Sequence, residues 1–117
     1  MITTLCFDDV LLQPQFSEIE SRKIIDIGND LGDHYYALPI ISAPMDTVTE
    51  DFMAAEMNYH GGLGIIHRYN SIEKQATFIK SCAPKVGGAI GVTGDYIDRA
   101  KTLIQAGANI ICVDVAH

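Results

Sequence analysis

The sequence predicts an α/β fold in which parallel β-strands alternate with helices. Short apolar runs recur at residues 38–43, 63–66, 86–92 and 110–113, and their centres lie 22 to 25 residues apart. A helix-like segment separates each pair of runs. This alternation, with short loops and a nearly constant period, is typical of βα units in a parallel sheet. An open doubly wound sheet and a (β/α)8 barrel both show it, and the pattern alone does not choose between them.

Composition narrows the classes of function. The chain has 117 residues, 48% of them hydrophobic, which predicts a folded domain. Its formal charge of −7 argues against nucleic acid or an anionic membrane as a partner, because both bind basic surfaces. No signal-peptide pattern or membrane-length apolar run is present in the sequence. Three cysteines without a CxxC motif predict a reduced, cytoplasmic protein and no metal site.

The first part of the chain, to about Tyr36, is predicted to be irregular or to form short extended pieces. Pro14 follows the apolar residues 10–12 closely and argues against a long helix there. Residues 24–30 are predicted to form a strand that ends in a turn.

Each helix has a predicted start and end. We expect Thr49 to cap the first helix, Ser71 the second, and either Thr93 or Asp95 the third. Glycines 61–62, Pro84 and Gly107 are predicted to end them. The apolar faces predicted for the three helices are Phe52, Met53, Ala55 and Met57; Ile72, Ala76, Phe78 and Ile79; and Ile97, Ala100, Leu103 and Ile104.

Polar residues follow each predicted strand, at the edge where ligands bind in both architectures. Met45 and Asp46 follow the first strand; Met45 could contact a flat ring or pack, and Asp46 could serve helix entry. His67 and Arg68 could orient an anion or form a solvated strand end. Asp114 ends a buried strand, where a carboxylate is unfavourable unless paired, and hydroxyls of a ribose would be natural partners. No cysteine has the context of a nucleophile.

Several stretches together resemble the IMP dehydrogenase/GMP reductase family. They are residues 7–14 (FDDVLLQP), 39–50 (PIISAPMDTVTE), 61–68 (GGLGIIHR), 86–92 (VGGAIGV) and 113–117 (VDVAH), in the family's order. The second is the most specific, and the resemblance covers essentially the whole chain. It implies a (β/α)8 barrel of which only the first four strands and three helices are present. Residues 1–37 would form an N-terminal extension and strand, and residues 38–117 βα units 1 to 4.

The resemblance also implies a chemistry. The family transfers hydride between a purine nucleotide and a nicotinamide cofactor, and a cysteine thiolate attacks C2 of the purine. By similarity, Met45 and Asp46 would bind the substrate. Asp114 would hold the hydroxyls of the nicotinamide ribose, with His67 and Arg68 near the cofactor.

The sequence departs from the family's pattern in three ways. The family's cysteine loop, second phosphate-binding segment and flap follow the fourth strand, so no catalytic residue is expected in this chain, and a potassium site is expected only in the missing half. Residues 81–85 directly close the gap where many dehydrogenases insert CBS modules. Residues 42–50 favour IMP dehydrogenase with NAD, because reductases tend to carry Asn before the Met, whereas the absent insertion and residues 113–117 also suit GMP reductase with NADPH.

Two further alternatives stay open from the sequence. The chain is expected to be a fragment of an oxidoreductase, and the alternative is a non-catalytic half-barrel that binds nucleotides. Its expected protein partner is either further copies of itself or a complementing C-terminal half-barrel. A half-barrel on its own leaves strand edges and an apolar face exposed, so we expect it to be marginally stable and to self-associate.

Overall fold

The computed structural model describes residues 3–116 as a parallel sheet covered by helices, preceded by a small hairpin. Strands β1 and β2 pair antiparallel, and β3 to β6 form the parallel sheet. The strands are β1 (Asn29–Leu31), β2 (His34–Tyr36), β3 (Ile41–Ser42), β4 (Leu63–Ile66), β5 (Val86–Ile90) and β6 (Ile110–Val113). The helices are α1 (Asp51–Tyr59), α2 (Ile72–Cys82) and α3 (Tyr96–Ala106). The predicted parallel α/β fold is therefore confirmed.

The four parallel strands lie side by side in chain order, β3-β4-β5-β6. All three helices pack on one face of this sheet, because side chains from each of them share one core with Ile66, Val86 and Ile90. In a doubly wound sheet the strand order reverses and helices cover both faces. Neither feature occurs among residues 3–116, where the parallel strands follow the chain order and the three helices share one face.

The opposite face of the sheet carries a second, smaller core. Leu63, Ile65 and Ala89 are buried there with Tyr36 from β2. The hairpin formed by β1 and β2 lies at the amino ends of the strands, where Lys85 Nζ donates a hydrogen bond to the carbonyl oxygen of Tyr35 at 3.1 Å. It therefore closes the end of the sheet opposite the candidate ligand site.

The N-terminal part differs from its prediction. Residues 24–30 do not form one strand; Arg22–Ile24 is a 3-10 turn, and the extended pairing begins only at Asn29. Likewise, the predicted strand 38–43 is reduced to Ile41–Ser42, since Pro39 has no N–H to donate to a ladder. Ile24 and Ile27 are exposed because, among the described residues, nothing covers them.

The first helix begins differently from its prediction. Glu50, not Thr49, occupies the capping position, and its side chain makes no capping hydrogen bond. The Thr49 side chain is buried instead and bonds to the loop after β3. Ala54 is the residue of α1 that packs fully against the sheet, whereas Phe52 and Met53 are exposed. The predicted apolar face was therefore wrong at Phe52, Met53 and Ala55, which are exposed, whereas Met57 is partly buried.

The other two helices follow their predictions more closely. Ser71 caps α2 by accepting a hydrogen bond from the Lys74 N–H, as predicted. Gly107 ends α3 in the left-handed conformation, with φ of 108°. Asp95 stands at the N-cap of α3 without a capping bond, and Ile97 and Ile104 are exposed rather than buried.

The chain exposes more surface than its size predicts. Its accessible area is 8733 Å² and its radius of gyration 17.5 Å, whereas a compact chain of this size has about 6,300 Å² and about 13 Å. Much of the excess belongs to the arm of residues 3–28, in which Phe7, Leu11 and Leu12 are almost fully exposed.

We therefore expect the isolated chain to self-associate, because exposed apolar surface of this extent drives association. Sedimentation velocity over a concentration series should show species heavier than the 12.8 kDa monomer. Deleting residues 3–28 should reduce the association without abolishing it, because the outer edges of β3 and β6 have no strand partner among residues 3–116. A compact monomer at every concentration would contradict this expectation.

Within the part of the chain that the structure describes, none of the helices has the length and apolarity needed to span a membrane.

Candidate functional site at the carboxyl ends of the strands

Arg68 and Asp114 meet at the carboxyl edge of the sheet. Arg68 follows β4 and Asp114 follows β6, so the guanidinium reaches across the end of β5, which lies between them. Arg68 Nε donates to the carbonyl oxygen of Asp114 at 3.2 Å and lies 3.7 Å from its carboxylate oxygen Oδ2. Both side chains remain about one-third exposed. The pair therefore presents a partly neutralised carboxylate to solvent at the edge where ligands of parallel sheets bind.

Gly91 lies beside this crossing. A Cβ placed on Gly91 would lie 3.5 Å from Arg68 Nη1, at an ordinary van der Waals distance, so the guanidinium passes close to the backbone after β5. Asp114 is fixed from the other side, because its N–H donates to the carbonyl oxygen of Ile90 at 2.9 Å. Arg68 also lies over the Tyr69 ring, 5.2 Å from its centre. The position of Asp114 thus depends on the ends of β4 and β5 as well as on its own strand.

His67 does not face the ligand edge. The sequence predicted either an anion ligand or a solvated strand end at this position. Its side chain is only 3% exposed. The Nδ1 atom accepts a hydrogen bond from the Tyr69 N–H at 3.1 Å, so the ring proton belongs on Nε2, which lies 3.1 Å from Glu50 Oε1. His67 is therefore neither a solvated strand end nor an open anion ligand; it fastens the loop after β4 to the start of α1.

Met45 and Asp46 lie in the loop between β3 and α1, and both are exposed. Thr49 shapes this loop, because its hydroxyl lies 2.6 Å from the carbonyl oxygen of Ala43 and 2.9 Å from Ser42 Oγ. The N–H groups of Val48 and Thr49 both donate to the carbonyl oxygen of Met45. Met45 is therefore held at the edge of the sheet with half of its surface available for contact. Among the described residues, Asp46 has no ion pair with Arg68.

A buried polar network behind this edge was missed at the sequence level. Gln75 of α2 is fully buried, and its Nε2 donates to the carbonyl oxygens of Ile66 at 3.1 Å and Ala89 at 2.9 Å. Its Oε1 accepts from Arg99 Nη1 at 2.8 Å. Arg99 is itself buried, and its Nη2 donates to Asp95 Oδ2 at 2.8 Å. The available signal was a glutamine at helical spacing from Ile79, on the face that the apolar pattern assigns to the core.

The hydrogen bond from Arg99 lowers the pKa of the Asp95 carboxyl below its ordinary value. A carboxyl whose pKa is lower in the folded state stabilises the fold above its unfolded pKa and loses that contribution as the pH falls through the folded value. We therefore expect stability to decline at acidic pH, below about pH 4. Asp95→Asn should be less stable at neutral pH and should flatten this acid decline, as measured by urea unfolding at several pH values. An unchanged pH profile would contradict the role given to the pair.

Cys82 and Cys112 do not have the properties of reactive cysteines. Burial raises the pKa of the Cys82 thiol, whose Sγ donates to the carbonyl oxygen of Asp51 at 3.0 Å. Burial also raises the pKa of the Cys112 thiol. A raised pKa reduces the thiolate fraction that a nucleophile needs. Over residues 3–116 the structure brings together no group of three or more His, Cys, Asp and Glu side chains able to hold a metal.

In the 113–117 motif, Asp114 is among the residues that the structure describes, and the last residue, His117, lies outside them.

Comparison with known proteins agrees with this architecture. Residues 4–117 match the family described as IMP dehydrogenase / GMP reductase domain. The chain is 42% identical over 102 residues to an inosine-5'-monophosphate dehydrogenase of Nitrosopumilus maritimus, a match that covers 86% of this chain and 21% of the relative. It is 43% identical over 77 residues to a GMP reductase of Leishmania donovani, covering 65% of this chain and 16% of the relative.

A solved structure matches in the same way. The crystal structure of inosine 5' monophosphate dehydrogenase from Legionella pneumophila superposes with a TM-score of 0.84 at 42% sequence identity. The match covers 95% of this chain and 35% of that chain. The chain thus spans between about a fifth and about a third of the length of these two dehydrogenases. The family match over residues 4–117 confirms the resemblance seen in the sequence, and the chain belongs to the IMP dehydrogenase / GMP reductase family.

Proposed function

We propose that the chain forms the first half of a (β/α)8 barrel. In this proposal, residues 38–117 are βα units 1 to 4, and residues 1–37 are an N-terminal extension and strand. The proposal is supported by the sequential strand order, by the helices on one face and by the coverage of 35% of the Legionella chain. Strands β3 and β6 each have one partner within residues 3–116, and closure of a barrel would supply the second.

The function that fits best is that of the N-terminal part of a purine-nucleotide oxidoreductase. We infer IMP dehydrogenase, which oxidises IMP to XMP with NAD for guanine nucleotide synthesis in the cytoplasm. The observation that carries it is the Arg68–Asp114 pair, whose exposed carboxylate stands at the ligand edge of a sheet from this family. GMP reductase, which converts GMP to IMP with NADPH, is the alternative, and a relative named as such matches this chain at 43% identity.

The residues at the edge fit a nicotinamide nucleotide and a purine. When bound, the nicotinamide ring accepts hydride. The Asp114 carboxylate can accept hydrogen bonds from two neighbouring ribose hydroxyls, and Arg68 limits the charge that it presents. Met45 offers a polarisable side chain to the face of a purine, and Asp46 lies beside it. His67 acts behind the edge, by holding the loop that carries Arg68.

In this proposal, the family's cysteine loop and potassium site belong to the complementing C-terminal half of the barrel. The protein would then work as a homo-oligomer of complete barrels. We do not assign a catalytic role to Cys82 or Cys112, because burial raises the pKa of both thiols.

The test is complementation. The chain should be co-expressed with a C-terminal half-barrel from the Legionella relative, and the absorbance of the reduced cofactor should be followed with IMP plus NAD and with GMP plus NADPH. We expect no turnover from the chain alone and turnover with IMP plus NAD from the pair. Turnover only with GMP plus NADPH would identify a reductase. A complex that forms and binds nucleotide but turns over neither pair would support the non-catalytic alternative.

A further inference from the structure

We propose that Gln75 is a positioning residue that holds the carboxyl ends of β4 and β5 together so that Arg68 can reach Asp114. The kinetic test of this inference, the KM for the cofactor, rests on the proposed function. The structural test, hydrogen exchange at the Asp114 amide, is independent of it. Among the described residues, Gln75 makes no hydrogen bond to a side chain at the ligand edge; it acts through the backbone that carries those side chains.

The hydrogen bonds of Gln75 connect two strands that a parallel ladder already joins, but at a different place. The ladder pairs Ile66 with Gly88 at the end of β4. The two hydrogens of the Gln75 amide nitrogen are donated to the carbonyl oxygens of Ile66 and Ala89. Ile66 belongs to this last pair of the ladder, and Ala89 lies one residue beyond it. Ile66 is the last residue of β4 and Ala89 the last but one of β5, so both carbonyl groups lie where the strands give way to the loops.

The two carbonyl groups bonded by Gln75 lie close in the chain to the residues that position Arg68 and Asp114. Ile66 is two residues before Arg68, and Ala89 precedes Ile90, whose carbonyl oxygen accepts the Asp114 N–H at 2.9 Å. Ala89 is also two residues before Gly91, which lies beside the Arg68 guanidinium. A shift of either strand end would change the separation of Arg68 and Asp114.

Arg99 fixes the orientation of the Gln75 amide. Its Nη1 donates to Gln75 Oε1 at 2.8 Å, so the NH2 group must point at the two carbonyl oxygens. The guanidinium is held in turn by Asp95, at the end of the loop that follows β5. Buried polar groups that are all satisfied in this way favour one geometry over its neighbours.

The experiment compares Gln75→Met with Gln105→Met, the same replacement at an exposed position of α3. Arg99→Met is a second variant, which keeps the Gln75 amide but frees its orientation. In the complemented barrel, we expect Gln75→Met to raise the KM for the nicotinamide cofactor roughly tenfold, while the KM for the purine nucleotide changes less than about twofold. Arg99→Met should give a smaller change in the same direction.

Hydrogen exchange at the Asp114 amide provides the readout that needs no activity. We expect it to accelerate roughly tenfold in Gln75→Met but not in Gln105→Met, while the amides of α1 keep their wild-type protection. If the wild type shows no hydride transfer but the exchange behaves as expected, the proposed function fails and the positioning role stands. Uniform acceleration over the whole sheet, or unchanged exchange together with an unchanged cofactor KM, would overturn it.

Discussion

Gly64→Ala is expected to destabilise the fold by about 3 kcal/mol, at the upper end of the range for overpacking a core. A Cβ on Gly64 would lie 2.5 Å from the Cα of Ala54 and 2.8 Å from its Cβ. Because the nearer atom belongs to the backbone of α1, no side-chain rotation relieves the contact and the helix must move off the sheet. Urea unfolding followed by far-UV circular dichroism would measure the loss.

Two other glycines provide graded controls for Gly64. A Cβ on Gly88 would meet the Leu103 methyl group Cδ1 at 2.7 Å, which is the far end of a flexible side chain, so Gly88→Ala should cost about 1 kcal/mol. A Cβ on Gly91 would meet only the Arg68 guanidinium, at 3.5 Å from Nη1 and 3.7 Å from Cζ. Gly91→Ala should therefore be close to wild type or slightly more stable, because alanine restricts the unfolded chain. Equal effects at the three positions would show that the approach of α1 is not the cause.

Asp114→Ala is expected to raise the KM for the nicotinamide cofactor about a hundredfold in the complemented barrel, because hydrogen bonds from two hydroxyls to a charged acceptor are lost. The same change leaves Arg68 without the carboxylate that it now faces at 3.7 Å. The KM for the purine nucleotide should stay near the wild-type value. Steady-state kinetics with each substrate varied in turn would separate the two effects.

Asp114→Asn and Asp98→Ala are the matched variants for this prediction. Asparagine keeps one acceptor oxygen without the charge, so we expect roughly a tenfold increase in the cofactor KM. Asp98 is exposed in the first turn of α3, and its replacement should leave the kinetics unchanged. A cofactor KM that is unaffected in Asp114→Ala would remove this residue from the binding site.

The regular part of the fold could be predicted from the sequence because each βα unit carries its own local signals. These signals are local in the sequence. They include Ser71, which caps α2, Gly107, which ends α3, and the apolar runs that form β4 to β6. The first helix was harder. Gly64 allows such a close approach that Ala54, a small residue, becomes the point of contact, and this depends on a strand that lies ten residues away.

The candidate site was predicted in part. Arg68 and Asp114 could be assigned to one edge because parallel strands end on the same side, and the structure pairs them. His67 could not be placed, since the Tyr69 N–H and Glu50 that turn it inward come from a loop and a helix start. Gln75 was missed for a similar reason: a pattern of apolar residues does not reveal which backbone oxygens a buried amide will find.

The sequential order of β3 to β6 has a consequence for how the protein is made. Each of β4, β5 and β6 pairs with the strand that precedes it in the chain, through a connection of one helix. A ribosome releases the chain from its N-terminus, so each newly emerged strand meets its template already in place. Among residues 3–116, β6 is the last strand added in this order, and its outer edge has no strand partner, so it is the growing end of the sheet at this stage of synthesis.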